Sequence, residues 1–379
     1  MNKREIAEIK KQFKKDNNAI TRICGCYVDA EKQIKTRLKE AFFALSEEEI
    51  FKYYEMFKKT LSGGIGKNLH NLEYSIHDEG EDSAHALLMK LREDKLTDDE
   101  VVDSFFQKVI DNYDYGENYY IILIHSAYDV PGKAADNEEM FDMSEEVYNH
   151  ILCCICPVKL SEPGLSYNEA TNHIEERPRD WWVQPPMTGF LFPAFNDRST
   201  DIHAVLHYSK DPKKIHEELV SGLFGCNTKM SAAVQKEAFH AIVQETLGEE
   251  CNYETVTKIN EKLADMLPEQ EEVVEEAEEA PQIVEKEQLK RIFEESGVSE
   301  EAVEHLDEAY ENNIGSEQLY VENIVDTKPV KVKTNDIVLN INPEVAARVK
   351  STVVDGQKCL LIPINSDENI TINGVDARP

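Results

Sequence analysis

The chain has 379 residues, 41% of them apolar and 30% charged, enough for two or three domains with substantial cores. Its formal charge of −33 argues against broad, non-specific attraction to DNA, RNA or anionic membrane, although a local basic patch remains compatible with it. No run reaches the ~18–20 apolar residues of a membrane span. The basic start, MNKREIAEIKKQFKK, lacks the apolar core of a signal peptide. Eight cysteines without a secretion signal read as reduced thiols, and the expected location is cytoplasmic.

Residues 2–16 fit a polar amphipathic helix with Ile6, Ile9 and Phe13 on one stripe. Thr21–Val28 alternates as a strand, Asp29–Lys32 turns, and Gln33–Phe42 returns in a pattern that fits a hairpin or a helix. Ser46 and Glu49 form a capping box, and the helix behind it carries Ile50, Tyr54, Phe57 and Leu61 before it stops at Ser62-Gly63-Gly64. Leu69–Ser75 is a short extended piece, Ser83–Leu91 is helical, and a second capping box at Thr97–Glu100 opens a helix to about Asn112. Tyr119–Tyr128 and Ile151–Leu160 read as strands, with Val130–Met143 as a polar loop between them. Ser161–Asp180 reads as irregular, with a turn at Pro163-Gly164.

The stretch Asp180–Pro212 holds both tryptophans and two strand-like runs, Met187–Asn196 and Asp201–Tyr208, joined by the polar turn Asn196–Thr200. Pro193 removes a ladder donor, so the first strand should be bulged, at an edge, or finished by that point. Beyond Pro212 helices fit Lys213–Phe224, Ser231–Leu247 and Asn252–Leu267, with Gly225, Gly248 and Pro268 as stops. After the acidic run Glu269–Pro281 come two helices, Val284–Ser296 and Ser299–Asn312. Strand-like runs follow at Val330–Lys333, Asp336–Ile341, Thr352–Val354, Lys358–Ile364 and Asn369–Ile372. A short helix starts at Asn342-Pro343, and hairpin turns are expected at Asp355-Gly356 and Asn373-Gly374. The expected fold is α+β: a central, mainly antiparallel sheet flanked by helices in residues 1–268, an acidic linker over 269–281, and a small helical-hairpin plus β domain over 282–379.

No motif commits the chain to a reaction. Ser62–Asn68 imitates a phosphate loop but has Leu61 and Asn68 where glycine and Ser/Thr are required, and it follows a helix rather than a strand. Cys153-Cys154-x-Cys156 alternates across a strand, as buried structural thiols do, and Cys24-x-Cys26 reads the same way. Asp201, His203 and His207 share one strand face, but His203 and His207 would stand ~13 Å apart at ~3.3 Å per residue. His216-Glu217-Glu218 lacks the second histidine of a zinc-protease helix. Trp181-Trp182, beside Pro185-Pro186, fits an aromatic binding surface as well as a loop packed on the sheet. No Gly-x-Ser-x-Gly elbow or dinucleotide glycine pattern is present. No metal site and no cofactor are called for.

The runs DWWVQPPMTGFLFPAFNDRSTDIHAVLHYSKDP, ITRICGCYVD and LSGGIGKNL resemble an uncharacterised family of Firmicutes, a domain of unknown function, over essentially the whole chain. That resemblance implies no activity and no catalytic residue. The order of helices, central sheet, the run ELVSGLFGCNTKMSAAVQKEAFHAIV and a β-rich tail is also similar to bacterial nucleoid-associated proteins. It implies DNA contact through Lys10, Lys11, Lys14, Lys15 and Arg22. The expectation is therefore a non-enzymatic binding protein, nucleoid-associated in one version and compatible with a homo-oligomer. The alternative is an enzyme with a dispersed site around Asp201, His203, Trp181 and Trp182.

Overall fold

The computed structural model describes residues 1–15, 19–74, 80, 83–133, 139–226, 229–267, 282–315, 317–325, 330–346, 348–363, 370–372 and 375–377. The acidic run read as a linker and the turn at Asn373-Gly374 lie outside them. The chain forms two compact units, one over Met1–Ser231 and a short later stretch, the other over Ala232–Glu275 and Pro281–Pro379. That division falls upstream of the acidic run because the helix after Ser231 packs within the second unit.

The first unit is α+β. Helix α1 (Lys3–Lys11) begins at Asn2, which forms a capping box with Glu5; it ends sooner than the apolar stripe suggests, although Phe13 is still buried. Strand β1 (Ile20–Val28) pairs with β2 (Ile34–Ala41), which settles the second arm as a strand. Helix α2 (Glu47–Thr60) starts at the predicted Ser46 box, and β3 (Leu69–Glu73) follows the glycine-rich stop. Helix α3 (Ala84–Glu93) is capped by Ser83, and α4 (Asp99–Asn112) by Asp98, one residue beyond the expected Thr97.

Strands β4 (Tyr119–Lys133) and β5 (Glu139–Leu160) run well past the expected loop boundaries, paired out to Lys133 and Glu139. The polar residues there sit on paired backbone, because ladder bonds form regardless of side-chain polarity. Between Leu160 and Trp181 the chain is not irregular: β6 (Leu165–Asn168) and β7 (His173–Glu176) form a hairpin, and β8 (Trp181–Val183) returns along β5. Strand β9 (Thr188–Phe192) ends directly before Pro193, as the missing donor requires. The run Asp201–Tyr208 is divided. Strands β10 (Ala194–Asn196) and β11 (Ser199–Asp201) close a separate hairpin, with Asp197 and Arg198 both at positive φ. Strand β12 (Ala204–Ser209) then enters the main sheet.

The main sheet has the order β2-β1-β4-β5-β9-β12-β3, with β8 added on β5, and every pairing is antiparallel. Its two faces bury different helices. Ile23, Ile124, Leu152, Cys154 and Leu206 meet α1 and α2; Cys24, Leu123, Cys153, Phe190 and Val205 meet α3, α4 and residues 215–226. Gly189 is required where β9 meets β5, since a Cβ there would collide with the Cys153 carbonyl.

The expected helix Lys213–Phe224 is shorter and wider than an α-helix. His216 takes the left-handed conformation at φ 58°, α5 (Glu217–Leu219) makes one turn, and Val220–Phe224 is a π-helix ending at Gly225. Gly222 lets that turn press onto the Asn112 side chain at the end of α4; a β-carbon would not fit.

In the second unit α6 (Ala232–Leu247) packs on a later helix, and α7 (Tyr253–Ala264) is capped by Asn252. Strand β13 (Ile283–Val284) leads to α8 (Lys286–Glu295) and to α9 (Glu300–Asn313), the partner of α6. Strand β14 (Leu319–Tyr320) pairs with β13, and α10 (Val321–Ile324) returns to α6. The β-rich tail is a series of hairpins: β15 (Val330–Lys333) with β16 (Val338–Ile341), then α11 (Pro343–Ala346), then β17 (Lys350–Val354) with β18 (Gln357–Leu361), and β19 (Ile370–Ile372) with β20 (Val375–Ala377). The Tyr253 hydroxyl donates to the Ala346 carbonyl at 3.0 Å, joining the tail to α7. Among the described residues no helix is long and apolar enough to cross a membrane.

Candidate interaction surface

Four histidines and several thiols are enclosed in the sheet, where burial disfavours their charged forms. His125 and His150 are fully buried, and desolvation pushes them down to about 4 and about 3. His125 meets the Thr21 hydroxyl at 2.9 Å, His150 stacks on Tyr148 with ring centres 4.5 Å apart, and the Nε2 of each lacks a hydrogen-bond partner among the described residues. His70 and His207 face each other across β3 and β12 with ring centres 6.4 Å apart. His207, held by Thr188 at 3.0 Å, is likewise driven down by desolvation.

The thiols behave alike. Desolvation raises Cys24 and Cys26 to about 11 and Cys154 to about 12, while Cys153 and Cys156 go well above their usual value. A thiol held this far up carries little thiolate, the nucleophilic form. Among the described residues no group of three or more His, Cys, Asp or Glu could hold a metal ion.

The sequence-selected residues come to rest in different places. Asp201 is a turn cap: its Oδ1 accepts the His203 amide at 3.0 Å and its Oδ2 accepts the Asn196 side chain at 2.5 Å. His203 and His207 are not brought together, the first lying in the exposed turn and the second in the core. Lys10 and Lys11 form the last turn of α1, Lys14 and Lys15 follow it, and Lys15 pairs with Glu47. Lys10 is held below its usual range by partial burial and by Lys59 and Lys58 of α2, so cations do converge there. Arg22 takes no part, because alternation along β1 puts it on the Cys24 face, across the sheet from α1. Ser62–Asn68 is a helix stop whose Asn68 side chain donates to the Ser209 and Lys210 carbonyls at 3.0 and 3.2 Å.

A cleft of about 360 Å³ lies at the end of α4, lined by Tyr113, Asp114, Lys214, His216, Glu217 and Glu218 among others. The His216 ring stands 5.5 Å from that of Tyr113, and desolvation lowers its pKa. The charged groups named are exposed and of mixed sign.

Trp181 and Trp182 are not enclosed by the sheet. They are 56% and 53% exposed on β8, the short strand paired with Leu160 and Lys159. Beyond them the ribbon continues. The Ser161 amide donates to the Asp180 carbonyl at 2.9 Å, and the Asp180 amide donates to the Ser161 hydroxyl at 3.1 Å. Arg179 donates to the Ser161 carbonyl at 2.8 Å, and the Arg177 amide donates to the Gly164 carbonyl at 2.8 Å. At the far end β6 and β7 set Tyr167 directly opposite Ile174. Leu165 lies two residues from Tyr167 and so on the same face; Leu165, Tyr167 and Ile174 are 77%, 56% and 63% exposed. No residue from Glu162 to Trp182 is buried. This ribbon is an apolar and aromatic surface without a core of its own.

Sequence reasoning singled out the tryptophans but passed over the exposed Leu165, Tyr167 and Ile174. The signal was present as Leu-x-Tyr, a polar Glu-Ala-Thr-Asn turn and then His-Ile-Glu-Glu, but each strand is only four residues long. His216, set aside for want of a second histidine, borders the cleft.

The match of a family model settles what kind of chain this is. It belongs to the family described as Domain of unknown function (DUF4317), whose model matches residues 1–375. No curated protein and no solved structure matches the chain. Membership thus covers both units and brings no reaction with it.

Proposed function

We propose that this DUF4317 member is a non-enzymatic binding protein of the cytoplasm that engages a macromolecular partner through the ribbon at Ser161–Val183. One observation carries the reading: large apolar side chains stand in water on the ribbon, while His125, His150, His207, Cys153, Cys154 and Cys156 are sealed in the sheet. Exposed apolar clusters on otherwise ordinary surfaces mark interaction sites, and Trp and Tyr are enriched where binding energy concentrates. The eight free cysteines support a reducing compartment. The test is a photo-crosslinking amino acid placed at Tyr167 in living cells, with Phe51, an exposed aromatic on α2, as the control position. Discrete adducts at 167 and none at 51 are expected; their absence at 167 removes the ribbon as the binding surface.

A second reading, DNA association of the nucleoid kind, draws support from the convergence of Lys10, Lys58 and Lys59. It predicts binding that falls steeply with salt and weakens when Lys10, Lys11 and Lys14 become alanine, with Arg22→Ala having no effect. Absence of DNA binding at low salt removes it.

A further inference from the structure

We infer that the partner of the ribbon is a positively charged protein segment with apolar side chains at alternate positions, which docks in extended form along the β6–β7 hairpin. The inference rests on the ribbon being the binding surface and adds the chemistry of what it binds.

Three features point to this occupant. The first is backbone geometry. Strands β6 and β7 pair only with each other among the described residues, so each presents an unpaired edge to a further strand. The second is the side-chain period. Leu165, Tyr167 and Ile174 lie on one face, which an edge strand with apolar residues at every second position would extend, setting its apolar side chains beside them. A two-stranded hairpin without a covered face is marginal in water, and a third strand supplies what it lacks.

The third feature is charge. Between Glu162 and Asp180 the ribbon carries Glu162, Glu169, Glu175, Glu176 and Asp180 against only Arg177 and Arg179. Arg179 is already turned back onto the Ser161 carbonyl. Glu176 stands directly opposite Leu165 in the hairpin register, so carboxylate borders the apolar face itself. An anionic rim around an apolar face selects a cationic partner. At this acidic ribbon a second copy of the chain, with its own charge of −33, is disfavoured, as are nucleic acid and anionic lipid.

The chain supplies its own reporter. Its only two tryptophans are Trp181 and Trp182 at the root of the ribbon. The full chain is titrated with a synthetic peptide of alternating lysine and valine, with an alternating glutamate–valine peptide of equal length as the control. A saturable change in tryptophan emission is expected with the lysine peptide alone, weakened about tenfold or more by molar salt. Glu175→Gln with Glu176→Gln should weaken it about tenfold, equivalent to losing about 1.4 kcal/mol. Tyr167→Ser with Ile174→Ser should abolish it. All four side chains are exposed, so these variants keep the fold, which far-ultraviolet dichroism verifies.

Several results overturn the cationic partner. These are no response to the lysine peptide, equal response to both peptides, an emission change that instead follows self-association in sedimentation, or one produced by phosphatidylserine vesicles. The last two leave the ribbon standing as a binding surface for another occupant. Lysine-peptide binding that persists in the Tyr167→Ser, Ile174→Ser variant places the site elsewhere and overturns the binding role of the ribbon as well.

Discussion

The interior of the sheet and the ribbon that extends β5 and β8 are built from the same kind of backbone pairing, yet they place their side chains in opposite surroundings. In the sheet, helices cover both faces, so Cys153 and Cys154, adjacent in sequence, are both fully buried on opposite sides. In the ribbon no residue from Glu162 to Trp182 is buried, and the adjacent Trp181 and Trp182 are both exposed. Strand formation alone therefore says nothing about burial; the layers above and below decide it. Chemical silence follows in the first region because burial neutralises histidines and thiols. Availability follows in the second.

The largest effect should come from emptying the interior. Phe190→Ala, at a fully enclosed position packed on Phe105 and Phe224, should lower the stability of the first unit by about 3–5 kcal/mol in chemical denaturation. A loss below about 1 kcal/mol would show that the sheet face is less tightly closed than this contrast requires.

Acid should open the same interior. His125 and His150 take up a proton near 6.5 when unfolded but only at about 4 and about 3 when folded. The unfolded chain thus binds more protons between those values. The contribution to stability is full above 6.5 and is lost as pH falls toward 3, each tenfold difference in proton affinity between the two states being worth about 1.4 kcal/mol. Denaturation midpoints should decline with pH from about 6.5 to about 5, above most carboxylate titration, and His150→Gln should flatten that decline. A flat profile in the unsubstituted chain would mean that these rings do not titrate as buried groups.

Gly189→Ala is expected to cost about 1–3 kcal/mol by forcing β9 away from the Cys153 carbonyl. In the native chain, alkylating reagents should modify the exposed Cys251 quickly and leave Cys153, Cys154 and Cys156 intact until unfolding, which mass spectrometry would resolve. Prompt modification of the cluster would break the contrast. The smallest effect belongs to the ribbon: Leu165→Ser and Tyr167→Ser should each change stability by less than about 0.5 kcal/mol, as exposed positions do. A larger loss would show that the ribbon face is already covered.

The elements most legible in the sequence were those whose signals are local. Ser46 and Glu49 closed the predicted capping box, Pro193 ended its strand, and the alternation of Cys153 against Cys154 and Cys156 placed them on the faces expected. The β6–β7 hairpin was not legible, because four-residue strands carry too short a period to separate from a loop. The π-turn after His216 was not legible either, since its cause, the fit of Gly222 onto Asn112, joins residues far apart in the chain.

The candidate site divides in the same way. Trp181 and Trp182 stood out by composition, but whether they packed or projected depended on where β8 lay against β5. Arg22 looked like a neighbour of Lys10, Lys11 and Lys14, and only the register of β1 assigned it to the other face.

By itself the sequence determined where most helices lie, the apolar runs, the acidic excess and the α+β class, because capping, periodicity and net charge act within a few residues or over the whole composition. Tertiary structure alone decided the strand order β2-β1-β4-β5-β9-β12-β3, the burial of the histidines and thiols, and the exposure of the ribbon. Those depend on which distant segments come to lie against each other, and solvent reaches a side chain according to its neighbours in space.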